Sequence, residues 1–128
     1  VATRGVGVDL VDVARFARVL ERRPRIAERL FTEGERREAR ARPERLAARF
    51  AAKEAVLKSV GAGVGAAPWR AIEVVRAESG APRVVLHGAA HALVRAADVD
   101  TLHLSLTHTA STAAAFVVAS SREESGAR

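Results

Sequence analysis

Arg49-Phe50-Ala51-Ala52-Lys53-Glu54-Ala55-Val56-Leu57-Lys58 is the stretch from which the rest of the chain can be ordered. Its residues are strong helix formers, and the pattern runs from Pro43, suited to a first helical turn, to Val60, where Gly61 supplies the stop. The predicted helix is the longest in the chain, about five turns at ~3.6 residues per turn. Glu54 and Lys58, four apart, share one face, whereas Lys53 points about 100° away around the axis. Ala47, Ala48, Ala51, Ala52 and Ala55 leave little bulk, so neighbours can pack closely on several sides. A carboxylate in such surroundings needs a cation or a metal. The stretch also holds both lysines of a chain with 21 basic residues, the others being arginine. An ammonium is a compact charge on a flexible stem, able to follow phosphate oxygens in a way a planar guanidinium is not.

Upstream, Gly5 to Asp9 is expected to form a short buried strand. An amphipathic helix follows, with Val13, Phe16 and Leu20 on one face and Arg15, Arg18 and Arg22 on another. Asp9 taken alone suits the N-cap of that helix. Thr32 with Glu35 gives a capping-box pattern opening a short, charged helix towards Arg40. Downstream, residues 61–68 form a glycine-rich loop that can approach a ligand closely. Ile72 to Ala77 and Arg83 to Leu86 flank a hairpin turn at Ser79-Gly80-Ala81-Pro82, and Ala89 to Ala97 reads as a small helix. Leu102, Leu104 and Leu106 alternate with His103, Ser105 and Thr107 as in a half-buried strand. Ala113 to Ala119 is its apolar partner across a turn at residues 108–111. The expected class is α+β: a small antiparallel sheet with one long and several short helices. Ser120 to Arg128 is expected to fray.

Composition sets the limits. The chain has 128 residues, 48% of them hydrophobic, which suits one domain over 1–128 with a modest core. Cysteine is absent, excluding disulfides, thiolate metal sites and a cysteine nucleophile. No apolar run approaches the ~20 residues that span a bilayer, and no signal peptide is evident, so the expectation is a soluble cytoplasmic protein without a membrane partner. A net charge of +6 favours polyanionic partners. Aromatic residues are only 4%, leaving few platforms for stacking single-stranded bases.

Each chemical candidate has an ordinary reading beside it. Glu54 with Lys58 is the spacing of a solvated helical ion pair. Arg15, Arg18 and Arg22 fit a solvated helix face, and His108 fits an exposed strand end. Ser105, Thr107 and His108 lack the Gly-x-Ser-x-Gly elbow of a hydrolase. His87, His91 and His103 lack metal-ligand spacing.

Together, Gly5-Val6-Gly7-Val8-Asp9-Leu10 with Arg15, then Arg49 to Ala55 with Lys58 and Gly61, then Leu104-Ser105-Leu106-Thr107-His108 resemble the holo-acyl-carrier-protein synthase family of 4'-phosphopantetheinyl transferases. The resemblance runs from about Gly5 to Val118. It implies Mg²⁺-dependent transfer of phosphopantetheine from coenzyme A to a serine of an apo carrier protein, releasing adenosine 3',5'-bisphosphate. Asp9 and Glu54 would be the metal ligands, with Glu54 and Lys58 catalytic. Implied coenzyme contacts are Asp9, Arg49, Lys58, His108 and Thr109, the loop glycines Gly61, Gly63 and Gly65, and the hairpin residues Gly80 and Pro82. Lys53 would serve a different phosphate or brace the site. Arg15, Arg18 and Arg22 would dock an acidic carrier-protein helix, with Phe50 adding an apolar contact or lying in the core. The general base stays open between a metal-bound water and Glu54 acting through one. A homotrimer with active sites between subunits is also implied.

Two other classes share these features. A metal-dependent nucleotide phosphohydrolase would use Asp9, Glu54 and Lys58. A small nucleic-acid-binding domain would explain the charge, but base-reading motifs are missing and the basic residues are scattered, so nucleic acid is not the expected partner.

Overall fold

A computed structural model describes residues 1–122. The order is β1 (Ala2–Asp12), α1 (Val13–Arg22), α2 (Ile26–Leu30), α3 (Glu33–Ala39), α4 (Pro43–Ser59), a 3₁₀ turn (Trp69–Ala71), β2 (Ile72–Arg76), β3 (Pro82–Leu86), α5 (Gly88–Ala96), β4 (Thr101–His108) and β5 (Thr112–Ser121). The α+β class is as expected, but the strands form two antiparallel sheets, not one: β1-β5-β4 and the hairpin β2-β3. α4 packs on the larger sheet, and Val56, Ala52 and Ala55 share a core with Ala115, Val117, Ile72 and Val74.

The first strand is longer than expected, and only one of its faces is covered. Gly5 and Gly7 face α4. A Cβ at Gly5 would lie 2.0 Å from the Ser59 carbonyl oxygen, and one at Gly7 would lie 2.0 Å from that of Ala55. No side chain fits between this strand and this helix. Because side chains alternate across a strand, glycines on the inner face send Val6, Val8 and Leu10 outward, 58%, 55% and 70% exposed. Asp9 continues the inner row, two residues beyond Gly7. It is therefore not the N-cap of α1. Asp12 is, its carboxylate accepting from the Arg15 N–H at 2.9 Å.

The Thr32 capping box forms in full, and Pro43 opens α4 as its first residue. Gly61 beyond the C-terminus has φ +71, a conformation that favours glycine. α2 and the 3₁₀ turn are additions to the expected elements. At the other end, Ser120 and Ser121 are not frayed: they belong to β5, buried and paired with β1. The remainder of that expected frayed tail, 123–128, lies outside the described residues.

Candidate active site

Asp9, Glu54 and Lys58 are brought together by the glycine contact between β1 and α4. Lys58 Nζ donates to Asp9 Oδ1 at 2.9 Å and to the Val8 carbonyl at 3.0 Å. Its partner is thus a residue 49 positions away, and the ammonium remains half exposed. Asp9 Oδ2 is buried without a hydrogen-bond partner. Glu54 is raised to about 7 by burial and by the adjoining Asp9 carboxyl, with Lys58 opposing the shift. Lys58 is raised by its hydrogen bond and charge interaction with Asp9.

Two carboxylates pressed together, one with an unpartnered oxygen, form a site that a cation would relieve. Among the described residues no cluster of three or more Asp, Glu, His or Cys side chains gathers. A pair of carboxylates fits Mg²⁺, which takes one or two from the protein and completes its shell with water and phosphate oxygens.

His108 occupies the α4 side of the same sheet. The register aligns Asp9 with Ala115 and Leu106, and Val11 with Ala113 and His108. His108 therefore lies two strands from the Asp9 edge, about 10 Å at the usual strand spacing. With Glu44, Thr109 and Ala110 it lines an opening of about 400 Å³. Gly61 borders another opening, of about 360 Å³, together with Lys58 and Gly5. Gly63 and Gly65 are exposed in the following loop.

Other expected site residues lie elsewhere. Lys53 is completely buried. Its ammonium pairs with Glu35 Oε1 at 2.8 Å and donates to the carbonyls of Trp69, at 3.0 Å, and of Ile72. The expected phosphate contact for Lys53 does not fit this burial, since its donors are spent inside the fold. Burial holds its amine below the ordinary range, against the opposing effect of Glu35. Arg49 is also nearly buried, its guanidinium 3.5 Å from Glu38 and 3.3 Å from the Arg45 carbonyl, with Nε unpartnered. Gly80 and Pro82 sit on the hairpin of the smaller sheet; no described hydrogen bond or ion pair joins them to the carboxylates.

Arg15, Arg18 and Arg22 are exposed along α1. Phe50 is half-buried, stacked on Phe16 with centroids 5.5 Å apart and tilted against Trp69 at 5.0 Å. No motif in the sequence marks the basic opening beside them, about 560 Å³, whose lining includes Arg23, Arg25, Arg29 and Arg70. Its residues come from three segments, and only the arginine-rich run 22–29 hinted at it. Glu35 was legible only as a cap; nothing local marked it as the partner of Lys53.

A strand-borne carboxylate, a helix-borne carboxylate and a lysine on that helix thus converge at one point of the fold. Residues 5–117 match the 4'-phosphopantetheinyl transferase superfamily. A holo-[acyl-carrier-protein] synthase of Frankia alni is 54% identical over 120 residues, covering 94% of this chain and 99% of its own length. The crystal structure of the Neisseria meningitidis holo-[acyl-carrier-protein] synthase superposes with a TM-score of 0.84 at 32% identity, covering 92% of this chain and 98% of that one. A Bacillus anthracis holo-(acyl-carrier-protein) synthase in complex with CoA (3',5'-ADP) gives 0.78 at 31% identity, covering 94% and 99%. The chain belongs to the 4'-phosphopantetheinyl transferase superfamily, in the group of the holo-[acyl-carrier-protein] synthases. No helix among the described residues is long and apolar enough to cross a membrane.

Proposed function

We propose that this chain transfers the 4'-phosphopantetheine arm of coenzyme A to a serine hydroxyl of an apo acyl carrier protein. The observation that carries the reading is the Asp9–Glu54 carboxyl pair with an unpartnered Asp9 Oδ2 and Lys58 at its rim. Asp9 and Glu54 would hold Mg²⁺, which would supply positive charge to the pyrophosphate. As the serine Oγ–P bond forms, the bridging P–O bond breaks, and adenosine 3',5'-bisphosphate leaves with the bridging oxygen. Lys58, half exposed on a flexible stem, turns from Asp9 to the phosphate oxygens as their charge grows. The hydroxyl proton passes to Glu54 through a water.

His108 and Thr109 lie near the nucleotide's phosphates, and Gly61, Gly63 and Gly65 line the coenzyme cleft. Arg49 is kept as a phosphate contact on the family resemblance alone, its guanidinium being held by Glu38 and the Arg45 carbonyl. The carrier docks on Arg15, Arg18 and Arg22, whose charge steers an acidic helix. The outward apolar face of Val6, Val8, Leu10 and Phe116 supports a homotrimer in which neighbouring subunits complete each cleft. Sedimentation as a monomer at micromolar concentration would contradict that assembly.

The test of the reaction is intact-mass analysis of apo carrier protein incubated with the chain, coenzyme A and Mg²⁺. Transfer adds one phosphopantetheine mass to the carrier and requires the metal. Cleavage of coenzyme A with an unmodified carrier would identify a phosphohydrolase instead.

A further inference from the structure

Glu35 and Lys53 carry charges for which the transfer chemistry has no direct use, and both are completely buried. Their hydrogen bonds join four segments. Lys53 reaches from α4 to Glu35 on α3, to Trp69 in the 3₁₀ turn and to Ile72 at the start of β2. Glu35 also accepts from the Thr32 N–H through Oε1 and from the Val74 N–H through Oε2, each at 3.0 Å. Aromatic rings close a circuit around the pair. The Lys53 ammonium lies 5.5 Å from the Phe31 ring centre, Phe31 meets Phe16 edge-on at 6.2 Å, and Phe16 continues through Phe50 to Trp69.

Burial alone does not call for such a pair. Two apolar side chains of similar volume commonly stabilise a fold as well as a buried ion pair does. What charges with fixed partners add is direction. α4 is lined by alanines on several sides, and alanines make shallow ridges that poorly resist rotation about the helix axis. Lys53 and Glu54 are consecutive, so their directions differ by about 100°, and fixing one fixes the other. On the far side of the helix the backbones of Gly5 and Gly7 bear on Ala55 and Ser59.

We infer that the buried Glu35–Lys53 pair is a positioning device for the transfer reaction. It holds α4 at one rotation and one height, so that Glu54 and Lys58 meet Asp9. The pair touches no substrate and acts only through the helix. The inference rests on the reading of Asp9, Glu54 and Lys58 as the transfer site. A site displaced by ~1 Å can lose about 100-fold in rate, so even a modest relaxation of α4 is measurable.

The test is the double variant Glu35→Gln/Lys53→Met, which removes both charges while keeping similar shapes and an acceptor for the backbone. Thermal unfolding, kcat, the KM for the carrier, and the calorimetric affinity for coenzyme A with and without Mg²⁺ are compared with the parent. The expected result is a folded protein with unchanged carrier KM, kcat lowered about tenfold or more, and a severalfold smaller gain in coenzyme A affinity on adding Mg²⁺. A folded double variant with parental kcat and parental Mg²⁺ gain overturns the inference. Should the double variant not fold, Glu35→Asp draws the carboxylate back by one methylene and is expected to show the same split more weakly. Parental values in folded Glu35→Asp overturn the inference equally. Indifference of the parent protein to Mg²⁺ would sink the metal reading alone, and the pair is then judged on kcat against carrier KM.

Discussion

Lys53 and Lys58 share one helix, five residues apart, yet one is sealed in the core and the other stands half in solvent. Lys53 is matched by a buried carboxylate and two carbonyls on neighbouring segments, an arrangement that fixes structure. Lys58 is held by Asp9 and the Val8 carbonyl, contacts an exposed ammonium can exchange for phosphate oxygens. The same residue type thus meets a sealed core on one side of α4 and solvent on the other. Chemistry follows from the surroundings: the Asp9–Glu54 side leaves an oxygen unpartnered, whereas the Glu35–Lys53 side leaves none of its donors and acceptors idle.

The comparison breaks most readily at Asp9. Asp9→Ala should keep the fold, as read by circular dichroism, and lower Mg²⁺-dependent transfer about 1,000-fold, equivalent to ~4 kcal/mol of barrier. Near-parental turnover by the folded variant would remove Asp9 from the metal site. Lys58→Arg keeps the charge but changes its shape, so steady-state kcat at saturating coenzyme A should fall roughly 30- to 150-fold, or ~2 to 3 kcal/mol. Full activity would mean that any cation suffices. Arg15→Glu should raise the carrier KM about tenfold and leave that for coenzyme A nearly unchanged, with wild-type transfer weakening as salt is added. Equal effects on both substrates would return Arg15 to a solvated face.

A smaller effect concerns pH. Because Glu54 is raised to about 7, the folded metal-free chain holds a proton there that the unfolded chain releases in the ordinary carboxylate range. Stability should therefore decline as pH rises from that range through about 7, and Mg²⁺ should bind more tightly over the same window as the proton leaves. Glu54→Gln should abolish this part of the slope in thermal unfolding; an unchanged slope would assign it to another group.

The elements around α4 were legible because their signals are local: Pro43 at its start, Gly61 after its end, and a capping box joining residues three apart. Glu35 shows where that legibility stops. Its cap is local, but Lys53 lies 18 residues away and the Val74 N–H 39 away, distances over which sequence patterning carries no signal. The exposed side of β1 was missed for a related reason. An apolar run reads as buried on both faces, and only the backbone contact of Gly5 and Gly7 with α4 reveals which face is inner. Asp9, Glu54 and Lys58 were identified through motif resemblance, while their convergence depends on that same contact.

The most direct measurement sets Lys53→Met beside Lys58→Met, recording thermal unfolding and saturating turnover for both. Breaking a buried ion pair costs about 3 to 5 kcal/mol, so Lys53→Met should unfold at a much lower temperature. Lys58→Met, at an ammonium half exposed to solvent, should lose much less stability than Lys53→Met, yet lose most of its turnover. A Lys53→Met protein with parental stability and parental turnover would contradict the account, because the buried pair would then neither brace the fold nor place α4.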